Sequence, residues 1–165
     1  MSEIRTGLGW DVHRLVAGKP LILGGVTVES EFGLEGHSDA DILAHAITDA
    51  ILGAAAMGDI GMHFPDTDPR WKGSDSLVFL RHSKESVEAR GYRIINVDST
   101  IILEQPKLKD YRQAIRERIA ETLGVEPDRV SVKFKTAEKL GPVGEGRSAE
   151  CQAIVTLQKL GSGPW

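Results

Sequence analysis

Asp11 and His13 stand two apart in the segment GWDVHRL, and His45 lies further along in what reads as a helix. Residues two apart on a strand point to the same side, so Asp-x-His delivers a carboxylate and an imidazole into one small space. Zinc accepts both ligand types at ~2.0–2.2 Å. A third protein ligand would leave one coordination position open, the catalytic rather than the structural arrangement. His45 is the candidate for that third ligand. Asp41, His45 and Asp49 are spaced four apart and share one helix face. A ligating imidazole usually donates its other N–H to a carboxylate or carbonyl, a role Asp41 or Asp49 could fill. A helical histidine between two aspartates also fits a solvated face, and a lone Asp-x-His is common, so spacing alone leaves the site open. His63 in a long loop and His82 on a charged helix face carry less signal.

Three segments could handle phosphate. Gly36-His37-Ser38-Asp39 opens the helix that carries His45. The free N–H groups and dipole of a helix start favour anions, and His37 and Ser38 can add donors. Plain capping by Ser38 explains the same residues. Gln105-Pro106-Lys107-Leu108 sits where a strand gives way to a helix, and Lys107 can reach an anion. Lys135-Thr136-Ala137-Glu138 follows an alternating strand. There Thr136 offers a hydroxyl and Glu138 a carboxylate for a second, harder cation. No Ser–His–Asp or Cys–His pattern for a side-chain nucleophile is evident.

These residues need a scaffold. Residues 4–10 read as a strand entering Asp-x-His, and 21–23 and 26–28 as a hairpin around Gly24-Gly25. A long helix is predicted from an N-cap at Ser38 or Asp39 to about Met57, with Gly58 stopping it. Its apolar positions Ile42, Ala46, Ile47, Ala50, Ile51 and Ala54 share a face. Residues 59–73 read as a long loop, punctuated by Gly, Pro and Asp. Further helices are predicted over 75–90 and 108–123, each ended by a glycine, and strands over 93–103, 130–135 and 151–157. The fold class is α/β (α+β): a single domain with one mixed sheet and helices against one face.

Composition agrees. Of the 165 residues, 41% are hydrophobic, enough for one core. Cys151 is the only cysteine, which excludes an internal disulfide and a Cys-rich zinc site. The formal net charge of −4 and the scattered basic residues do not favour a nucleic-acid partner. No apolar run reaches the ~18–20 residues that span a bilayer. The opening MSEIRTGLGW lacks a signal-peptide core. The reading is a soluble chain that stays in the cytoplasm.

The combination is far more specific than its parts. GWDVHRL (9–15), LILGGV (21–26), GHSDADILAHAITDAILGAAAMGDIGMHFPDTDPRWKG (36–73), NVDSTIILEQPKL (96–108) and KTAEKLG (135–141) resemble the 2-C-methyl-D-erythritol 2,4-cyclodiphosphate synthases of the non-mevalonate isoprenoid pathway. The resemblance covers nearly the whole chain. It implies a Bacillus chorismate mutase-like fold over residues 1–160, with 161–165 as a flexible tail. It further implies a homotrimer with active sites between subunits, using zinc together with magnesium or manganese. The implied substrate is 4-diphosphocytidyl-2-C-methyl-D-erythritol 2-phosphate. Its 2-phosphate attacks the β-phosphorus and CMP leaves.

Carried over by motif, Asp11, His13 and His45 match the zinc ligands, and Glu138 matches the ligand of the second metal. His37 and Thr136 match residues that position the phosphates and stabilise the transition state. Ser38 lies beside them. Asp59, Ile60 and Gly61 match the erythritol-binding turn, and Phe64, Pro65, Asp66, Thr67 and Asp68 the adjoining mobile loop. Leu103, Glu104, Gln105, Pro106, Lys107, Leu108 and Lys109, with Lys135 to Glu138 including Ala137, match the cytidine diphosphate pocket.

One segment departs. The family often has an aromatic after Lys-Leu-Gly and then Gly-Arg-Gly-Glu-Gly; here Pro142 replaces the aromatic, and the charges are exchanged as Glu145 and Arg147. In the family these positions approach the trimer axis and are linked to isoprenoid diphosphate binding. Trp10, where Phe is frequent, is an apolar swap. Two rival classes are a metal-dependent hydrolase, with Asp11, His13 and His45 activating water, and a partner-binding protein without activity.

Overall fold

The computed structural model describes residues 3–161. Residues 162–165 of the predicted tail lie outside the described ones. Among the described residues, seven strands and five α-helices follow in the order β1 (Ile4–Ala17), β2 (Leu21–Leu23), β3 (Val26–Val28), β4 (Phe32–Glu35), α1 (Ile42–Ala54), α2 (Ile60–His63), α3 (Leu77–Ala89), β5 (Tyr92–Ile102), α4 (Arg112–Leu123), β6 (Val130–Lys135), α5 (Gly141–Gly144) and β7 (Ser148–Lys159). One five-stranded sheet has the order β4-β1-β7-β5-β6, and β2-β3 form a separate hairpin. The β5–β6 pair is parallel and the other pairs are antiparallel. The sheet is mixed, as predicted, in a single α/β domain.

The two faces of the sheet differ. Toward the helices β7 turns Cys151, Ala153, Val155 and Leu157, all buried. On the same side β1 carries Gly7 and Gly9. A Cβ at Gly7 would collide with the Ala50 carbonyl, and one at Gly9 with the Ala46 carbonyl. The strand therefore lies directly on the helix backbone, an approach that only glycine allows. The opposite face remains open, with Leu8 67%, Trp10 52% and Ile154 44% exposed. No helix among the described residues is long and apolar enough to cross a membrane.

Helix α1 is buried nearly all round, and its only incompletely buried positions are His45, Asp49 and Gly53. Their spacing of four makes one stripe along the helix. The N-cap expected at Ser38 or Asp39 is corrected: Ala40 adopts a left-handed conformation, φ 59°, and Asp41 is the cap. Its Oδ1 accepts from Leu43 N and Ala44 N, both at 3.1 Å. The same carboxylate accepts from Gly24 N at 2.9 Å and Gly25 N at 2.7 Å, so it straps the β2–β3 turn to the helix. The predicted end at Met57 is also corrected. Ala56 N donates to Gly53 O at 3.0 Å and Met57 N to Leu52 O at 2.9 Å. With Ala56 at φ 54°, this closes the helix before Gly58 is reached.

The predicted loop over 59–73 contains α2 and a single 3₁₀ turn, Pro69–Trp71. Strand β4 was missed, since it is a four-residue edge with Gly33 inside it. Replacing Asp41 by Ala removes a cap and leaves two turn N–H groups unpaired. The expected loss is about 3 kcal/mol, read as a lower urea midpoint; a loss under ~1 kcal/mol, the size of an ordinary cap, would contradict the strap.

Candidate active site

Strand β1 presents Asp11 and His13, and α1 presents His45. Asp11 Oδ2 lies 3.1 Å from His13 Nε2 and 2.9 Å from His45 Nδ1. One ligand atom from each residue falls within 4.8 Å of the others, the only such cluster of three or more among the described residues. A carboxylate and two imidazoles converging in this way suit a divalent metal with room for an outside ligand. The backs of the rings are held too. His13 Nδ1 lies 2.6 Å from the carbonyl of Glu35, where an N–H can donate and leave Nε2 for metal. His45 Nε2 lies 2.8 Å from Ser76 Oγ and 3.1 Å from Ser38 Oγ.

The charges reinforce one another. Burial pushes the Asp11 carboxyl up, but hydrogen bonds from His13 and His45 outweigh it and hold the group at about 2. Burial lowers the His13 imidazole, yet bonding and attraction to Asp11 leave it raised. Asp11 is therefore a ready anionic ligand, while His13 must shed a proton before it can bind metal.

Neither aspartate expected to support His45 does so directly. Asp41 is consumed by the helix cap and the hairpin. Asp49 instead accepts from Ile60 N at 2.7 Å and fixes the start of α2. The residues that do support His45, namely Ser38, Ser76 and Asp39, are assembled from two loops.

A cleft of about 520 Å³ opens over the triad. It is lined by His37 and Ser38 and by Ile60, Gly61 and Phe64 to Thr67, all predicted as site residues. Asp59 and Asp68 serve as caps: Asp59 Oδ1 accepts from Met62 N at 2.9 Å, and Asp68 Oδ1 accepts from Arg70 N at 3.0 Å. Trp71 and Phe79 were missed, although Trp71 inside a Gly/Pro loop was a signal. Phe64 lies against Phe79, ring centroids 4.5 Å apart, and makes an edge contact with Trp71 at 5.2 Å. His63 turns away to the Met57 carbonyl, 2.9 Å from Nε2, and His82 is exposed as read.

The remaining predicted residues gather elsewhere. Leu103, Pro106 to Lys109, Lys135 and Thr136 line a second cleft of about 250 Å³, joined by Arg112 and Phe134. Thr136 Oγ1 donates to Glu138 Oε1 at 2.6 Å, and Glu104 accepts from Ala137 N at 3.1 Å. Gln105 is exposed beside this cleft. The two clefts share no residue. Val12 pairs with Glu150, Glu150 with Ile102, and Ile102 with Lys135, so both lie at one level of the sheet. Three strand spacings separate them, about 14 Å. In the departing segment, Arg147 is paired with Glu145 at 2.6 Å, so its charge is already partnered.

Comparison with known proteins gives these positions a context. The sequence profile of the YgbB family matches residues 4–158. A 2-C-methyl-D-erythritol 2,4-cyclodiphosphate synthase of Solibacter usitatus is 80% identical over 96% of this chain and 100% of its own length. The bifunctional IspDF of Campylobacter jejuni superposes with a TM-score of 0.94 at 42% identity, covering 97% of this chain and 43% of that one. A 2C-methyl-D-erythritol-2,4-cyclodiphosphate synthase solved in its CDP-bound form has a TM-score of 0.86 at 42% identity, covering 93% of this chain and 99% of that one.

With zinc as probe, His45→Ala is expected to weaken metal uptake by more than ~100-fold, beyond the loss of an outer partner. Uptake by the unaltered chain should weaken as pH falls, because protons compete with metal for the His13 imidazole, whose pKa Asp11 holds raised. Chelator competition measures both, and unchanged uptake in His45→Ala would contradict the triad.

Proposed function

The chain belongs to the YgbB family, and from that premise we propose that it converts 4-diphosphocytidyl-2-C-methyl-D-erythritol 2-phosphate into 2-C-methyl-D-erythritol 2,4-cyclodiphosphate and CMP. This is a phosphorus–oxygen lyase reaction of isoprenoid precursor biosynthesis. The observation that carries the reading is the convergence of Asp11, His13 and His45 at the floor of a cleft, in a chain so close to a named synthase. An oxygen of the 2-phosphate forms a bond to the β-phosphorus. The bond from that phosphorus to the bridging oxygen breaks, and CMP departs with the electron pair.

Such a reaction asks the protein mainly for position and charge. Nucleophile and electrophile belong to one molecule, so holding it folded can supply up to ~7–11 kcal/mol. Asp11, His13 and His45 would hold zinc, and Glu138 would hold magnesium or manganese. These cations supply charge neutralisation and polarisation of the phosphates when bound. His37, Ser38 and Thr136 orient phosphate oxygens. Asp59 to Gly61 receive the erythritol unit, and Phe64 to Asp68 shield it from water. Leu103 to Lys109 with Lys135 to Ala137 receive the cytidine diphosphate.

We assign a homotrimer of chorismate mutase-like fold, with residues 1–160 as the synthase domain of a cytoplasmic enzyme. Two observations support the assembly. The metal triad and Thr136, which donates to Glu138, line separate clefts about 14 Å apart, so a complete site calls for the second cleft of a neighbouring copy. The open sheet face carries Leu8, Trp10 and Ile154, which association would cover.

Phosphorus NMR of the enzyme with substrate should show the cyclic diphosphate and CMP. Linear phosphates alone would replace this reading with a metal-dependent hydrolase. Thr136→Ala is expected to lower kcat by ~10²–10³, the cost of one donor to developing charge. A kcat within a few-fold of the unaltered enzyme would remove Thr136 from the reacting centre.

A further inference from the structure

Without metal, His45 Nδ1 donates to Asp11 Oδ2 at 2.9 Å; a metal must displace that proton, and the neutral ring then offers its Nδ1 lone pair in only one tautomer. That tautomer keeps its proton on Nε2, which must then find an acceptor. Two hydroxyls are in reach, Ser76 Oγ at 2.8 Å and Ser38 Oγ at 3.1 Å. A hydroxyl can donate as readily as accept. A donating hydroxyl would favour the opposite tautomer, with the proton toward the metal.

Asp39 removes that ambiguity at Ser76. The Ser76 hydroxyl donates to Asp39 Oδ1 in a short bond, and Ser76 N donates to Asp39 Oδ2 at 3.1 Å. Ser76 is fully buried just before α3, so its hydroxyl has no water to turn toward. With its proton committed to a carboxylate, Ser76 Oγ offers His45 only lone pairs. The left-handed turn at Ala40 separates two neighbouring aspartates by task. Asp41 caps α1, and Asp39 reaches across to Ser76.

We propose that the Asp39–Ser76 pair is a positioning device that holds His45 in its Nε2–H tautomer and so presents Nδ1 to the metal. Neither residue lines the cleft over the triad; both act through His45. The proposal rests on the metal reading of Asp11, His13 and His45. Two routes remove the device. Ser76→Ala deletes the acceptor. Asp39→Ala frees the Ser76 proton to donate to Nε2, which drives the ring toward the wrong tautomer.

The test measures zinc affinity of the full chain by chelator competition, beside thermal melting of each metal-free protein. Both variants are expected to bind zinc ~10–100-fold more weakly, the usual effect of losing a partner behind a metal-bound histidine. A merely structural role would lower metal-free melting and leave zinc affinity unchanged, and that result overturns the proposal. If Ser76→Ala does not fold, Asp39→Ala decides by the same criterion. Absence of zinc binding by the unaltered chain would instead remove the metal reading beneath it. In zinc-loaded protein, nitrogen-15 NMR of His45 should show the proton on Nε2; a proton on Nδ1 would also overturn the proposal.

Discussion

The approach of α1 to β1 is the constraint on which the rest depends. Gly7 and Gly9 leave no side chain between strand and helix, so Ala46 and Ala50 sit on the strand backbone. Asp11 and His13 continue the same side of β1 beyond those glycines, and His45 directly precedes Ala46. A side chain at Gly9 would lift the helix and carry His45 away from Asp11. Dense burial around α1 then leaves only His45, Asp49 and Gly53 incompletely covered. The helix is thus both the centre of the core and one wall of the site. Its stability depends on Asp41, whose four N–H partners tie the helix start to the β2–β3 turn.

The same sheet that builds one half of the site keeps the other half away. Strand β1 and edge strand β6 bring their functional ends to one level, with β7 and β5 between them. The triad and its aromatic wall can fix one end of a ligand. The Thr136–Glu138 turn and the loop after β5 can fix another. Within one protomer the intervening strands prevent them from meeting on a single phosphate group. Association through the open face would join unlike halves from adjacent copies, which is why the oligomer and the chemistry belong to one proposal.

Much of this was legible in the residues. Asp-x-His on a strand and His45 at helical spacing specify geometry directly, because two-residue and four-residue periods fix which side chains share a face. Gly24-Gly25 between apolar triplets marked the hairpin, and alternation from Val130 to Phe134 marked β6. The start of α1 was not legible, because nothing about alanine announces the left-handed turn at Ala40. Nor were the partners of His45. Ser76 and Asp39 are 37 residues apart, and their contact exists only once the 59–73 segment has folded back over the helix. Asp41 and Asp49 had the right spacing for that role, but backbone N–H groups had the prior claim on both carboxylates.

The division of the site between copies is tested most directly by mixing subunits. His45→Ala disables the metal half, and Glu138→Ala disables the other half. Each variant alone should be inactive. Unfolding, mixing in equal amounts and refolding should restore about a quarter of full activity, since random assembly of a closed ring gives that share of sites two intact halves. Failure to recover any activity, with mixed oligomers shown to form, would contradict a site shared between neighbouring copies.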